Sequence, residues 1–303
     1  MSRTRWRWRP ARSIGTAVLL WAGSLAFAQP QQVRVEPIHD SGQSVTGAFE
    51  GWFANPDGTL SILLGYFNRN AIEELDIPIG AANKIEPGGP DQGQPTHFLP
   101  RRQWGVFTVT VPKDFGSKKL IWTLTANGVT TAIPASLNPL WEVAPLKDTS
   151  GNTPPFVAFS EKGPFVQGPR GTSAASNATA NATAKATAGV ALPLHVWVAD
   201  DANLIPGAER PSTPAVTLAW GKFRGPGQVK FSNARPLAEA SEFPAPPSAA
   251  YRGKATTEAT FSEPGEYVLH LAANDWSGEG GTGFQCCWTN AEVVVTVSGA
   301  EKP

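Results

Sequence analysis

Only a few residue groups in this chain have the types and spacing that chemistry needs. Glu73, Glu74, Asp76, Asp200 and Asp201 supply carboxylates. Two carboxylates facing each other across a cleft would suit glycoside hydrolysis, one as acid and one as nucleophile or base. Sequence does not place any two of them across a cleft, and Glu73-Glu74-Leu75-Asp76 reads as a solvated turn. Asp200, Asp201 and Asp275 flank loops, where carboxylates with main-chain carbonyls can hold calcium. The plainer reading is that these are turn-forming Asp side chains.

The other nucleophile and metal signatures are missing. His39, His97, His195 and His270 are scattered, without His-x-x-x-His or Cys-x-x-Cys spacing for zinc. No Gly-x-Ser-x-Gly elbow occurs. The stretch Gly278-Glu-Gly-Gly-Thr-Gly283 is glycine-rich but lacks the Lys-Ser/Thr that grips a nucleotide. The expectation is therefore no catalytic constellation and no cofactor.

Cys286 and Cys287 are the chain's two cysteines, and they are neighbours. Adjacent Cα atoms lie about 3.8 Å apart across a trans peptide, below the usual disulfide span of about 4.4 to 6.8 Å. Two free thiols, one of them buried, are thus the leading reading. A vicinal disulfide and intermolecular pairing stay open. A vicinal bridge beside Trp288 would form a rigid apolar platform against which a ligand could rest.

Eight Trp residues follow the first 28 positions. Trp52, Trp122, Trp197 and Trp220 sit in strand patterns and are expected in the core. Trp104, Trp276 and Trp288 lie in or beside loops, and they are the candidates for stacking on a ligand.

The elements that must position these groups begin after a leader. Arg3, Arg5, Arg7, Arg9 and Arg12 precede an apolar run from Ile14 to Phe27, and Ala26-Phe27-Ala28 gives the small-x-small pattern before Gln29. This predicts a secretory signal peptide over residues 1–28, cleaved after Ala28. Its apolar run of about 14 residues is short of the roughly 20 that span a bilayer. No further hydrophobic span follows, so no membrane span is expected in the mature chain. Cleavage removes five of the 25 basic residues and none of the 25 acidic ones, which leaves a charge near −5. That balance argues against nucleic acid as a partner, since such affinity is built largely on phosphate neutralisation.

With Gly 30 and Pro 28, and with period-2 alternation throughout, the mature chain reads as all-β. Strands are predicted at Val45 to Phe53, Leu60 to Phe67, Val106 to Val111, Leu120 to Ala126 and Val129 to Ile133. Asn127-Gly128 joins the last two as a hairpin. Gly80 to Gln103, with Pro87-Gly88-Gly89-Pro90 and Gln92-Gly93-Gln94-Pro95, is expected to form no regular element; it is the first half's candidate for a binding surface, with His97, Arg101 and Trp104 in or beside it, and the plainer reading is a floppy connector that packs Trp104 as a plug. Asp148 to Pro155 reads as a linker between residues 29–150 and residues 151–299. Ser173 to Gly189, an Ala/Thr/Asn tract, is expected to be a disordered surface insertion. Its Asn177 and Asn181 match the N-glycosylation pattern by chance.

From Asn152 onward the order of segments resembles the PKD and related immunoglobulin-like modules of bacterial surface proteins. Asn152-Thr-Pro-Pro opens the pattern, and Leu192 to Val198 with Asp200-Asp201 matches an early strand and acidic turn. Val216 to Trp220 and Gly225 to Phe231 match the Trp-bearing strand, tight turn and return strand. Ala259 to Asp275 matches the closing hairpin, and Val293 to Val297 the last strand. The resemblance implies an immunoglobulin-like (PKD-like) sandwich with a role in extracellular interaction or spacing. The fold expected is thus all-β, with two β-sandwich-like domains, the C-terminal one immunoglobulin-like. The function expected is an exported, non-enzymatic interaction, adhesion or scaffold protein with a protein or glycan ligand at the cell envelope, in the periplasm or outside the cell. The alternative is a carbohydrate-binding module associated with polysaccharide degradation.

Overall fold

The structure, a computed structural model, describes residues 37–169, 182–204, 209, 212–277 and 286–299. The predicted leader, Asn177, Asn181 and the run Gly278 to Gly283 lie outside them. From Ile38 onward the described residues belong to one compact unit. Among them the helical segments are two 3-10 turns, Lys113–Phe115 and Pro139–Trp141. No described helix is long and apolar enough to cross a membrane.

The first half contains eight strands: β1 (Val45–Ala54), β2 (Leu60–Asn68), β3 (Leu75–Asp76), β4 (Asn83–Glu86), β5 (His97–Phe98), β6 (Arg101–Val111), β7 (Lys119–Ala126) and β8 (Val129–Ser136). Sheets β1-β2-β6 and β4-β7-β8 enclose one core, and β3 pairs with β5 beside them. Alternation aims Ile62, Leu64 and Phe107 inward, where Phe107 meets Trp122 edge to face at 5.2 Å. The β7-β8 hairpin turns on Asn127 and Gly128, both at positive φ (48° and 76°), as its Asn-Gly sequence predicts.

The stretch from Gly80 to Gln103 differs from expectation, because β4, β5 and the start of β6 lie within it. Side-chain amides supply the partners its backbone needs. Asn83 Nδ2 donates to the carbonyls of Ile77 and Pro95, Gln92 Nε2 to those of Ile85 and Pro87, and Gln94 Nε2 to that of Pro90. A loop whose buried carbonyls are satisfied in this way is fixed in place.

The second half contains β9 (Phe156–Ala158), β10 (Val166–Gln167), β11 (Ala182–Thr187), β12 (Leu192–Asp200), β13 (Thr217–Arg224), β14 (Val229–Phe231), β15 (Glu239–Ala240), β16 (Tyr251–Phe261), β17 (Gly265–Asn274) and β18 (Trp288–Ser298). Sheet β10-β9-β12-β16-β14, with β15 also on β16, faces sheet β11-β18-β17-β13 across a second core, the plan of an immunoglobulin-like sandwich. Tyr267, Leu269 and Leu271 on β17 point into it and are fully buried. The disordered insertion expected over 173–189 fails at its C-terminal end. Ala182–Thr187 is an edge strand that runs parallel to β18, with Ala182 opposite Val293.

The other face of the β13-β17-β18 layer packs on the first half. Phe223 and Val268 join the first core, and Leu99 fills the space over Gly221. Lys222 Nζ reaches Asp76 Oδ1 at 2.9 Å, and the Arg224 guanidinium pairs with both oxygens of Asp91 at 2.8 and 3.0 Å. Asn290 Nδ2 donates to the carbonyls of Gly105 and Val106 at 2.6 and 3.1 Å. The stretch Asp148 to Pro155, expected as a linker, is pinned. The Asp148 carboxylate accepts from the N–H groups of Ser150 and Asn152 at 2.8 and 3.0 Å, and Asn152 is buried.

Candidate functional site

Most of the residues singled out from sequence meet at one end of the second sandwich. Asp200 ends β12, Asp275 follows β17, and Cys286 and Cys287 precede β18, so strand termini bring them together. The two cysteines are bonded to each other, which corrects the free-thiol reading. They are 4% and 0% exposed, so they form no surface platform. Both sulfurs face the Asn152 carbonyl, at 3.9 and 3.5 Å. Asn152 Nδ2 in turn donates to Asp275 Oδ2 at 2.6 Å, while Asp275 Oδ1 accepts from Ser277.

The three carboxylates named for calcium each accept hydrogen bonds from the protein, from local turns and from the distant Asn152 and Thr153. Asp201 Oδ2 accepts from the N–H and hydroxyl of Thr153, and Asp200 Oδ1 from the N–H of Ala202. Among the described residues, no three His, Cys, Asp or Glu side chains are placed to share a metal ion. Burial pushes the Asp200 carboxyl up to about 7, and the nearby charges of Asp275 and Asp201 add to the rise. Burial also raises Asp275, against the hydrogen bonds from Ser277 and Asn152. The Asn152 Oδ1 and Asp200 Oδ2 atoms accept no hydrogen bond there.

A second cluster was not assembled from sequence. His97, 3% exposed, lies between Glu74 Oε2 at 3.1 Å and Asp76 Oδ1 at 2.9 Å, and Lys222 Nζ caps Asp76. Burial opposes charge on the imidazole, yet its hydrogen bonds to Asp76 and Glu74 raise it above the ordinary histidine value. Glu74 is lowered chiefly by the hydrogen bond from His97. Glu74 and Asp76 are solvent-exposed, as the expected solvated turn requires, but Asp76 ends strand β3 and the two carboxylates form half of a compensated ion network. Both carboxylates turn onto one imidazole, an arrangement opposite to the facing pair a glycosidase requires. Sequence separation hid this cluster, since Lys222 arrives from the other sandwich.

The tryptophans separate into distinct roles. Trp288 is 4% exposed and packs with Phe53, Leu63 and Val143. Its Nε1 donates to the Gly105 carbonyl at 3.1 Å, so the loop-platform reading gives way to a core role. Trp276 is half-buried in the turn after β17, where its Nε1 donates to the Thr213 carbonyl at 3.2 Å. Trp104 is 41% exposed. The guanidinium of Arg102 lies 3.7 Å over its ring, a cation–π contact. Glu50 holds that guanidinium from below and also accepts from the N–H of Gly105, while Arg102 donates to the carbonyls of Tyr66 and Gln103. Burial raises the Glu50 carboxyl even against the Arg102 charge. A buried acid thus fixes the arginine that fixes the exposed indole.

Trp104 stands at a cleft of about 290 Å³ between the two sandwiches. Tyr66, Gln103, Trp220 and His270 also line it. The Trp220 indole is 5% exposed, and its Nε1–H has no hydrogen-bond partner in the protein. Burial pushes the His270 imidazole down to about 4 and leaves it neutral.

No protein-family model and no curated protein matches the chain. Among solved structures, the D00-D0 domain of intimin is similar at 12% identity, covering 84% of this chain and 100% of that one, with a TM-score of 0.23. The Yersinia pseudotuberculosis adhesin InvE is similar at 13% identity over 84% and 58% of the two chains, with a TM-score of 0.21. WR4, a Caenorhabditis elegans MSP family member, is similar at 5% identity over 38% and 92%, with a TM-score of 0.23. Likenesses this distant carry no functional argument.

Proposed function

We infer that the chain is an exported, non-catalytic scaffold or adhesion module, in which two β-sandwiches are held as one rigid body that presents fixed surfaces to a protein or glycan at the cell envelope. The observation that carries this reading is the seam between the sandwiches. It combines a shared apolar core through Phe223, the Lys222–Asp76 and Arg224–Asp91 ion pairs, and the Asn290 amide on Gly105 and Val106. Small flexible interfaces let domains move; a seam with buried amide and aromatic contacts opposes that motion. The PKD-like segment order from Asn152 supports an extracellular spacer role, and the basic, apolar and small-residue order of residues 1–28 supports export.

The test is to express the full chain with its own leader in a bacterial host, fractionate the cells and sequence the N-terminus of the product. Purified mature chain is then incubated with isolated cell envelopes. The reading expects a product that begins at Gln29, outside the cytoplasm, and that sediments with envelopes. An intact leader in the cytoplasm contradicts export. A turnover abolished by one point substitution contradicts the non-catalytic role.

A second reading, carbohydrate binding, is favoured by one observation: Trp104 is exposed and braced at the cleft mouth.

A further inference from the structure

We propose that the hollow beside β16, between β14 and β15, captures an extended stretch of a partner polypeptide, which bridges to the main chain of Thr256, rests an apolar side chain on Leu237 and sets a basic one against Glu239. The inference rests on the protein partner of the scaffold reading and gives that partner a place.

The hollow exists because a strand edge is interrupted. β14 covers Ala259 to Phe261 of β16, and β15 covers Gly253 and Lys254. Between them the chain leaves the edge, since the Ala234 carbonyl accepts from the N–H of Trp220 on β13, in the opposite sheet. The alternation of β16 decides which groups are left over. The Glu258 carbonyl accepts from Ser232 and the Arg252 carbonyl from Ser241, so even-numbered residues here turn their N–H and C=O toward the β14-β15 side. Thr256 has the same parity, and no described strand faces it there. Its N–H and C=O open into a hollow of about 570 Å³, lined also by Asn233, Leu237, Glu239 and Ser241.

A donor and an acceptor spaced as in a main chain select another main chain, which is why an open strand edge is a template for pairing. From Lys254 to Glu258 the gap spans about 13 Å, room for about three residues of an extended chain. Lysines commonly guard such edges. Here the ammonium of Lys254 is held 4.8 Å over the ring of Trp197, on β12 at the far side of β16. Both banks of the gap are fixed. Thr257 Oγ1 accepts from the Asn233 N–H and donates to its carbonyl, and the Tyr251 hydroxyl donates to the Ala238 carbonyl.

The side chains around the gap give the peptide its character. Leu237 stands 70% exposed between two buried neighbours, Pro236 and Ala238, so its position is anchored while its apolar surface is open. The nearby cations are spoken for or lie elsewhere. Arg252 pairs with Glu242 at 3.3 Å, Lys230 sits beyond the gap opposite Thr260, and Arg235 lines the cleft between the sandwiches. Glu239 lines the hollow, is exposed and enters no ion pair among the described residues, and Glu258 at the end of the gap is exposed as well. A basic side chain on the incoming strand complements that charge.

The experiment screens the mature chain on an array of random hexapeptides and titrates the best binder by fluorescence anisotropy. Binders are expected to combine an apolar residue with Lys or Arg. Leu237→Asp should weaken binding about tenfold or more, and Glu239→Lys about fivefold, both at unchanged melting temperature because both side chains are exposed. N-methylation of the peptide, one residue at a time, should abolish binding at the bridging residue and be tolerated at its neighbours. Binding indifferent to Leu237→Asp, or to every N-methylation, overturns the proposal. An array without binders, for a chain that still sediments with envelopes, overturns this site alone; a chain that does neither overturns the scaffold reading with it.

Discussion

Asn290, on the last strand, donates its side-chain amide to the main-chain carbonyl of Gly105 at 2.6 Å, linking the two sandwiches at the same point where Trp288 Nε1 also reaches that carbonyl. The Gly105 oxygen is thus met twice from the opposite half. Asn290 is 3% exposed, so these bonds form out of water. Replacing it by Asp substitutes acceptors for donors against two carbonyls. The variant should lose about 3 kcal/mol or more of stability in urea unfolding, and Asn290→Ala about 1–3 kcal/mol. A loss below about 0.5 kcal/mol for both would show that the seam bond is unimportant.

Gly105 itself has no room for a side chain. Its φ is +51°, and a Cβ there would sit 2.1 Å from Trp288 Cζ2. Gly105→Ala should cost roughly 3 kcal/mol or more, since the indole is boxed in by Phe53, Leu63 and Val143 and must move. Gly58→Ala is the control, with φ +83° and nothing within 4 Å of its Cβ, and should cost only about 1 kcal/mol. Chemical denaturation of the pair gives the comparison, and equal costs would rule out the clash.

Two buried groups make opposing contributions to the pH dependence of stability. Asp200 titrates at about 7 in the fold against 3.8 when unfolded, so its contribution is complete below pH 4 and is lost as pH rises to 7. His270 titrates at about 4 against 6.5, so its contribution is complete above pH 6.5 and is lost as pH falls to 4. The two slopes oppose each other across nearly the same window. Asp200→Asn should therefore make stability rise more steeply between pH 4 and 6.5 than in the natural chain, and His270→Gln should make it fall. Parallel pH–stability curves for all three proteins would contradict this.

The bond between Cys286 and Cys287 predicts that the unreduced, folded protein takes up no iodoacetamide. Denaturation without reductant should leave it unlabelled too, because burial is not what protects the sulfurs. Two adducts under that condition would restore the free-thiol reading.

Much of the fold was legible because its signals are local. Tyr267, Leu269 and Leu271 alternate with Val268 and His270, and the Asn127-Gly128 pair names its own turn. What failed depended on partners far along the chain. Ala182–Thr187 has little strand propensity of its own and is extended because β18 lies beside it. Gly80 to Gln103 looked irregular because no pattern announces that Asn83, Gln92 and Gln94 will satisfy its carbonyls. The candidate site was legible in part. Trp104 stands out from its place beside a loop, whereas the Glu50–Arg102 brace needed the fold to form. Trp288 carries the same sequence signal as Trp104, and its packing on Phe53, Leu63 and Val143 with its contact to Gly105 separates core from surface.

The rigid seam is tested most directly by hydrogen-exchange mass spectrometry of the mature chain along a urea titration, with peptides from residues 38–145 and 152–299 followed separately. One shared midpoint for both sets, shifting together in Asn290→Asp, is the predicted result. Two separate midpoints, with Asn290→Asp moving one or neither, would contradict a single rigid body.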